Sequence, residues 1–138
     1  MAQESEDDKI RCDEMEQYSI LEETVKQNID YDVLLQSYPN EVQLVQGIYE
    51  LIVETVAYTG KKLVIASNEL PAELVKNRLM KLNFMHIQYV ISSMKKNTTE
   101  IKNIKKYLLA ALYNAPATMQ GYYQAEVNHA MPQYAKRN

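Results

Sequence analysis

The sequence contains very few of the residues that build disulfides, tight turns and large aromatic cores. Its 138 residues include one cysteine, three glycines, four prolines, one phenylalanine and no tryptophan. The single cysteine, Cys12, excludes an internal disulfide framework and a cysteine-based structural zinc site. The scarcity of glycine and proline argues against a loop-rich or all-β fold and favours helices with short connections.

Long hydrophobic runs are also missing. No apolar run approaches the roughly 18–20 residues that a membrane span needs, and the N-terminal segment lacks the hydrophobic core of a secretory signal. We therefore expect no membrane association and a cytoplasmic location. The apolar fraction of 46% is that of an ordinary globular chain. Because tryptophan is absent, some of the eleven tyrosines must share the core with aliphatic side chains.

The charges are divided unevenly along the chain. Residues 1–59 carry three basic side chains against fourteen acidic ones, whereas residues 60–106 carry ten basic against three acidic ones. These regions therefore have net charges of −11 and +7 within a total of −3. Such asymmetry indicates either a surface that faces nucleic acid or two halves that attract each other, and composition leaves both open.

The pattern of apolar residues predicts one domain of the all-α class, a bundle of about six helices at residues 18–131. Residues 1–17 are acidic and almost without apolar side chains, so we expect a disordered lead-in or linker there. Residues 132–138 are expected to form a frayed tail.

The strongest helical signal begins after Asn40 and ends by Gly60. Its apolar residues cover most of the helix circumference, which predicts that this helix is central. The segment before it, residues 29–39, should interrupt the helical pattern. After it, Leu63–Ala66 predicts at most one short strand or half of a small ribbon.

Capping signals predict where three further helices begin, namely Ser19, Asn83 and Asn103. Pro116 should end the helix that begins at Asn103, because proline lacks the N–H that continues the hydrogen-bond ladder. Residues 117–129 would then form a separate last helix.

No residue pattern typical of an enzyme is present. Neither His86 nor His129 has a metal-ligand spacing with acids or cysteine, and His86 is interpreted as a packing or surface residue. Cys12 lies in the acidic segment, a setting that does not activate a thiol. The sequence has no glycine-rich phosphate loop and no nucleophile elbow. We therefore expect no catalysis, no metal and no cofactor.

The lysine-rich stretch between residues 61 and 106 is the main functional signal. Five lysines near the predicted start of the fifth helix are candidate contacts to DNA phosphates, and Tyr107 is a candidate to stack on a base. These lysines are Lys95, Lys96, Lys102, Lys105 and Lys106. Two alternatives remain open: the lysines solubilise the surface or pair with the acidic first half, and Tyr107 belongs to the core because it shares the apolar face of its helix.

Several phrases of the sequence resemble an uncharacterised domain found at the C-terminal end of replication initiator protein A of Firmicutes plasmids and integrative elements. They are NIDYDVLLQSYP, LIVETV, LPAELVKNRLMKL, HIQYVISSM and NTTEIKNIKKYLLAALYNAPATM. The resemblance runs from about Tyr18 to Met131. Full-length members of that family carry an N-terminal winged-helix domain that binds the origin. The present chain therefore resembles the C-terminal domain alone or a stand-alone relative.

A weaker resemblance is to the C-terminal helical domain of DnaD/DnaB-type primosomal proteins, in which a Tyr-x-x-x-Ile-x-x-x-Trp pattern takes part in DNA contact. Tyr107 matches the tyrosine, while Ala111 and Ala115 replace the isoleucine and the tryptophan. Only Tyr107 and the flanking Lys105 and Lys106 carry over.

Together the residues and the resemblances predict a non-enzymatic accessory domain of a plasmid or mobile-element replication initiator. It would bind DNA weakly, recruit host replication proteins, or do both. The alternative is a protein-interaction or self-association module without DNA contact, in which the acidic half docks on the basic half of another copy or on a basic partner.

Overall fold

The computed structural model describes residues 6–97 and 101–130, with side chains described for residues 9, 11–97 and 101–121. In these residues, six helices and two strands follow one another in the order α1 (Glu6–Ile29), α2 (Tyr31–Ser37), α3 (Val42–Val56), β1 (Lys62–Ile65), β2 (Asn68–Pro71), α4 (Ala72–Met80), α5 (Phe84–Lys96) and α6 (Ile104–Ala130). The predicted helical class is confirmed, with a single antiparallel ribbon among the described residues.

Helix α3 lies at the centre, as its sequence predicts. Val45, Ile48 and Ile52 are at most 1% exposed, and the helix packs against α1, α2, α4 and α6. The other helices each contribute aliphatic side chains to the same core: Val25 and Ile29 of α1, Leu34 of α2, Val75 and Leu79 of α4, Ile87 and Ile91 of α5, and Leu108 and Leu112 of α6. Burying apolar surface around one helix is the main stabilising contribution to this fold.

Helix α1 begins at Glu6, which corrects the expectation that residues 6–17 are a disordered lead-in and that Ser19 caps a first helix. Every side chain from Arg11 to Ile20 is exposed, and the first partly buried one is that of Leu21. The described side chains of α1 before Leu21 therefore contribute nothing to the core. Extending an existing helix needs far less ordering per hydrogen bond than starting one, so the packed second half supports the exposed first half.

A second correction concerns residues 29–39, where the sequence predicts an interruption. Between α1 and α2 only Asp30 leaves the helical conformation, with a left-handed φ of 51° and ψ of 57°, and the chain leaves it again at Tyr38. The short helix α2 follows directly and buries Leu34 completely. One residue is thus enough to redirect the chain, and aspartate is among the residues that tolerate this conformation. Helix α3 then begins at Val42, with Glu41 rather than Asn40 at the capping position.

The predicted ribbon near residues 63–66 is confirmed, and its second strand extends to Pro71. Strand β1 pairs with β2 so that Leu63 lies opposite Leu70. Ala66 and Ser67 form the turn with φ of 51° and 68°, the signature of a two-residue type I′ hairpin. Helix α4 therefore begins at Ala72, directly after the strand.

The helix starts predicted at Asn83 and Asn103 are confirmed. The Asn83 side chain accepts a hydrogen bond from the His86 N–H at 3.1 Å, and that of Asn103 accepts one from the Lys106 N–H at 3.0 Å. Pro116, however, does not end the last helix, because α6 continues through it to Ala130. Proline removes one hydrogen bond of the ladder but leaves the helical φ accessible, so a long helix tolerates it with a bend.

Candidate nucleic-acid interface

The five candidate lysines lie around the connection between α5 and α6. Lys95 and Lys96 end α5, Lys105 and Lys106 belong to the first turn of α6, and Lys102 lies between the two helices. All five side chains are exposed. Lys96 and Tyr107, the neighbour of Lys106, line the same cleft, so the end of α5 lies beside the start of α6.

Lys95 is engaged inside the protein. Its Nζ atom lies 2.7 Å from an Oε atom of Glu41, at the start of α3, and 5.8 Å from the centre of the Tyr38 ring. The Glu41 side chain is only 25% exposed, so water screens this pair less than it screens a fully exposed one. Lys95 therefore links the end of α5 to Tyr38 and Glu41, between α2 and α3.

Lys105 is engaged in a similar way at the other end of α3. Its Nζ atom donates to Glu54 Oε1 at 2.8 Å, and both side chains are 63% exposed. Glu41 and Glu54 are thirteen residues apart, which corresponds to roughly 20 Å of rise along a helix. Lys95 and Lys105 are therefore tied to opposite ends of α3 and do not converge on one ligand.

The remaining three candidates are Lys96, Lys102 and Lys106. Among the described side chains, those of residues 9, 11–97 and 101–121, none of the three has an ion-pair partner. The predicted set of five thus divides into two lysines that bridge the acidic and basic halves and three whose ammonium groups face solvent. Attraction between the two halves of the sequence therefore accounts for Lys95 and Lys105, and the nucleic-acid interpretation remains a prediction for the other three lysines.

Tyr107 lies on the wall of a cleft and not in the core. The cleft has a volume of about 640 Å³ and opens between the end of α2, the outer side of α5 and the start of α6. Tyr38, Tyr89, Tyr107 and Lys96 line it, and we call it the tyrosine cleft. A neighbouring cavity of about 270 Å³ shares Tyr89 and Tyr107 with it.

Sequence reasoning did not find Tyr38 and Tyr89 as members of this site. Tyr38 belongs to the segment that it interprets as a break, and Tyr89 lies on α5 between the buried Ile87 and Val90. One signal was available, since Gln88, Ser92 and Ser93 interrupt the apolar pattern of α5 with polar side chains on the cleft side.

The titratable groups with shifted pKa values lie away from the lysines. Burial lowers the pKa of His86, whose Nδ1 accepts a hydrogen bond from the Asn83 N–H at 3.1 Å. Burial, followed by the nearby Glu22 carboxylate, raises the pKa of Tyr49 to about 12. The Tyr49 hydroxyl donates to the Glu22 carbonyl at 3.5 Å, the partner that a buried tyrosine needs. His86 therefore serves as a helix cap, in accord with its interpretation as a packing residue.

The described part of the chain offers no group of three or more histidine, cysteine, aspartate or glutamate side chains placed to hold a metal ion. Nor does any helix in that part combine the length and the apolar character that crossing a bilayer demands.

Fold and surface together define a small helical domain with a two-stranded ribbon, a cluster of exposed lysines and an adjoining tyrosine cleft. The chain belongs to a family of unknown function, DUF6017, whose model matches residues 4–133. No curated protein and no solved structure matches the chain.

Proposed function

We propose that this protein is a non-enzymatic, cytoplasmic accessory domain that binds DNA weakly and without sequence preference through Lys96, Lys102 and Lys106. The observation that carries the proposal is the exposure of these three lysines at one end of α5 and α6, without an acidic partner among the described residues.

The position of the lysines on α6 adds to this argument. Lys106 lies in the first turn of α6 and Lys102 directly before it. The N-terminal end of a helix carries a partial positive charge, so a lysine there destabilises the helix and is not explained by local stability. The same partial charge adds to that of the lysines when a phosphate approaches. Contacts of this kind bind the DNA backbone and do not read the bases.

The replication context comes from the resemblance to the C-terminal domain of replication initiator protein A. In that context the domain adds affinity for DNA near the origin, or it recruits host replication proteins. The DUF6017 family carries no assigned activity, so the proposal depends on the lysines and on the resemblance.

The test is fluorescence anisotropy of labelled oligonucleotides titrated with the protein at about 50 and about 200 mM salt. Three phosphate contacts to duplex DNA predict that affinity falls about 40-fold between these salt concentrations. The variant Lys96→Glu/Lys102→Glu/Lys106→Glu should lose binding at the lower salt and keep the melting temperature of the wild type.

The matched control is Lys9→Glu/Lys61→Glu/Lys81→Glu, which makes the same change in net charge at three exposed lysines of other elements. It should retain most of the affinity. If the two triple variants weaken binding equally, the effect is one of net charge and the lysine site is wrong.

A second candidate function is protein interaction or self-association without DNA contact. It is favoured by α1, where Met15, Tyr18 and Ile20 are 66%, 45% and 59% exposed within residues 11–20, whose side chains are all exposed. Sedimentation velocity over a hundredfold range of protein concentration tests the self-association form. A constant monomer mass would exclude that form.

A further inference from the structure

The tyrosine cleft is a concave feature of the described surface that the proposed phosphate contacts do not account for. Its volume of about 640 Å³ lies within the range of small-molecule sites. Three of its lining side chains are tyrosines, one directly after α2, one on α5 and one on α6, and Lys96 also lines it. Gln88 and Ser92 add polar groups that can donate and accept hydrogen bonds.

The cleft continues past Tyr89 and Tyr107. The neighbouring cavity shares these two tyrosines and extends along α6 over the small side chains of Ala110 and Ala111. Two compartments thus meet at two aromatic side chains. This arrangement suits a chain of flat rings, each in contact with a tyrosine, better than it suits one compact ligand.

The Tyr38 side of the cleft is held by contacts within the protein. Tyr38 lies under the Lys95 ammonium, 5.8 Å from the ring centre, and Lys95 is in turn 2.7 Å from Glu41. Tyr107 is half-buried and precedes Leu108, which belongs to the core. Aromatic groups that are already fixed lose little conformational freedom when a ligand stacks on them.

We propose that the protein prefers single-stranded DNA to duplex DNA, with an unpaired base against Tyr107 and Tyr89 and the adjacent phosphate on Lys96. This inference rests on the proposed DNA-binding function and specifies the form of DNA. Tyrosine rings stack on any exposed base without regard to sequence. In a duplex the faces of the bases are covered by their neighbours, and exposing one costs several kcal/mol of stacking and pairing energy.

The experiment compares four labelled ligands: a mixed-sequence 20-mer, the same 20-mer as a duplex, its RNA counterpart, and a 20-mer without bases. Each is titrated by anisotropy at about 50 mM salt with the full chain. We expect the single-stranded DNA to bind at least tenfold more tightly than the duplex and the abasic strand. An RNA strand that binds tenfold more tightly than the DNA would overturn the assignment to DNA.

Substitutions at the cleft then test the stacking. Tyr107→Leu should weaken binding of the single strand at least fivefold and leave binding of the duplex unchanged, because one base stack is lost while the phosphate contacts remain. Tyr107→Phe keeps the ring and should keep the affinity, which separates stacking from a loss of folding. Tyr58→Leu, at an exposed tyrosine that does not line the cleft, is the matched control and should bind as the wild type does.

A second readout does not depend on affinity. An oligonucleotide that carries 5-iodouracil should crosslink on irradiation to the peptides that contain Tyr89 or Tyr107. Equal binding of single strand and duplex, together with unchanged binding by Tyr107→Leu, would overturn the proposal that a base binds in the tyrosine cleft. The proposed lysine site would be unaffected. Absence of binding to any strand at low salt would overturn the proposed function itself, and the cleft with it.

Discussion

The ammonium group of Lys95 lies 2.7 Å from the carboxylate of Glu41. It joins a lysine at the end of α5 to the residue that precedes α3, and so connects the basic half of the sequence to the acidic half. Lys105 and Glu54 repeat the arrangement at the other end of α3, at 2.8 Å. Lys95 and Lys105 therefore connect the two halves of the sequence, whereas the described structure places no carboxylate within ion-pair distance of Lys96, Lys102 or Lys106.

The two ion pairs should make unequal contributions to stability. In double-mutant cycles with alanine, we expect a coupling of about 0.2–1 kcal/mol for Lys105 and Glu54, because both are well exposed. The coupling of Lys95 and Glu41 should be larger, because Glu41 is mostly covered and Lys95 also contacts Tyr38. Urea unfolding at low and high salt measures both. A Lys95–Glu41 coupling no larger than that of Lys105–Glu54 would contradict this ranking.

The hairpin turn contains strain that substitution can remove. Ala66 and Ser67 have φ of 51° and 68°, where asparagine and glycine are preferred in a type I′ turn. The variant Ala66→Asn/Ser67→Gly should therefore raise the free energy of unfolding by about 1 kcal/mol. Denaturant unfolding with an unchanged m-value measures the gain. The control Ser67→Val should destabilise the protein, since a β-branched residue fits this conformation worst; a stabilised Ser67→Val would refute the assigned turn.

The capping box at the start of α5 should make stability depend on pH. Neutral His86 accepts a hydrogen bond from the Asn83 N–H through Nδ1, and burial lowers its pKa from the ordinary 6.5. A group with a lowered pKa binds fewer protons in the folded state than in the unfolded state. Its stabilising effect is complete above pH 6.5 and is lost as the pH falls through the lowered pKa.

We therefore expect the free energy of unfolding to decrease between pH 7.5 and pH 5. His86→Gln keeps a side chain that can accept the same hydrogen bond. Because glutamine does not titrate, the variant should lose less of its free energy of unfolding over this pH range than the wild type does. Asn83→Ala should cost about 1 kcal/mol at neutral pH, because it removes the other half of the box. If NMR titration shows His86 with a pKa above 6.5, the assigned sign is wrong.

The first half of α1 should be dispensable for folding. Its side chains from Arg11 to Ile20 are exposed, and the core begins with Val25 and Ile29. A chain that begins at Gln17 should have a free energy of unfolding within about 0.5 kcal/mol of that of the full chain, as expected for changes that remove no buried contact. A larger loss, measured by urea unfolding, would place part of this segment in the folded domain. The matched core variant Ile29→Ala should cost about 2–5 kcal/mol.

The order of elements shows where local signals are sufficient. Capping by Asn83 and Asn103 and the apolar circumference of α3 are properties of a few neighbouring residues, so their prediction succeeded. The sequence predicts about six helices and the described structure has six. The numbers agree only because one helix was missed and another was predicted as two. The prediction omits α2, which one left-handed residue, Asp30, separates from α1, and it divides α6 at Pro116, which the helix accommodates.

The lysine site shows what short-range sequence patterns do not predict. The sequence by itself determined the helical class, the central position of α3 and the concentration of lysines between residues 61 and 106, because periodicity, capping and charge are read over short stretches. It did not separate Lys95 and Lys105 from Lys96, Lys102 and Lys106. Only the tertiary structure decided that division and formed the cleft between Tyr38, Tyr89 and Tyr107. The physical reason is that ion pairs form over a few ångströms. Their partners here are about 50 residues apart in the chain, so only the folded structure shows which groups meet.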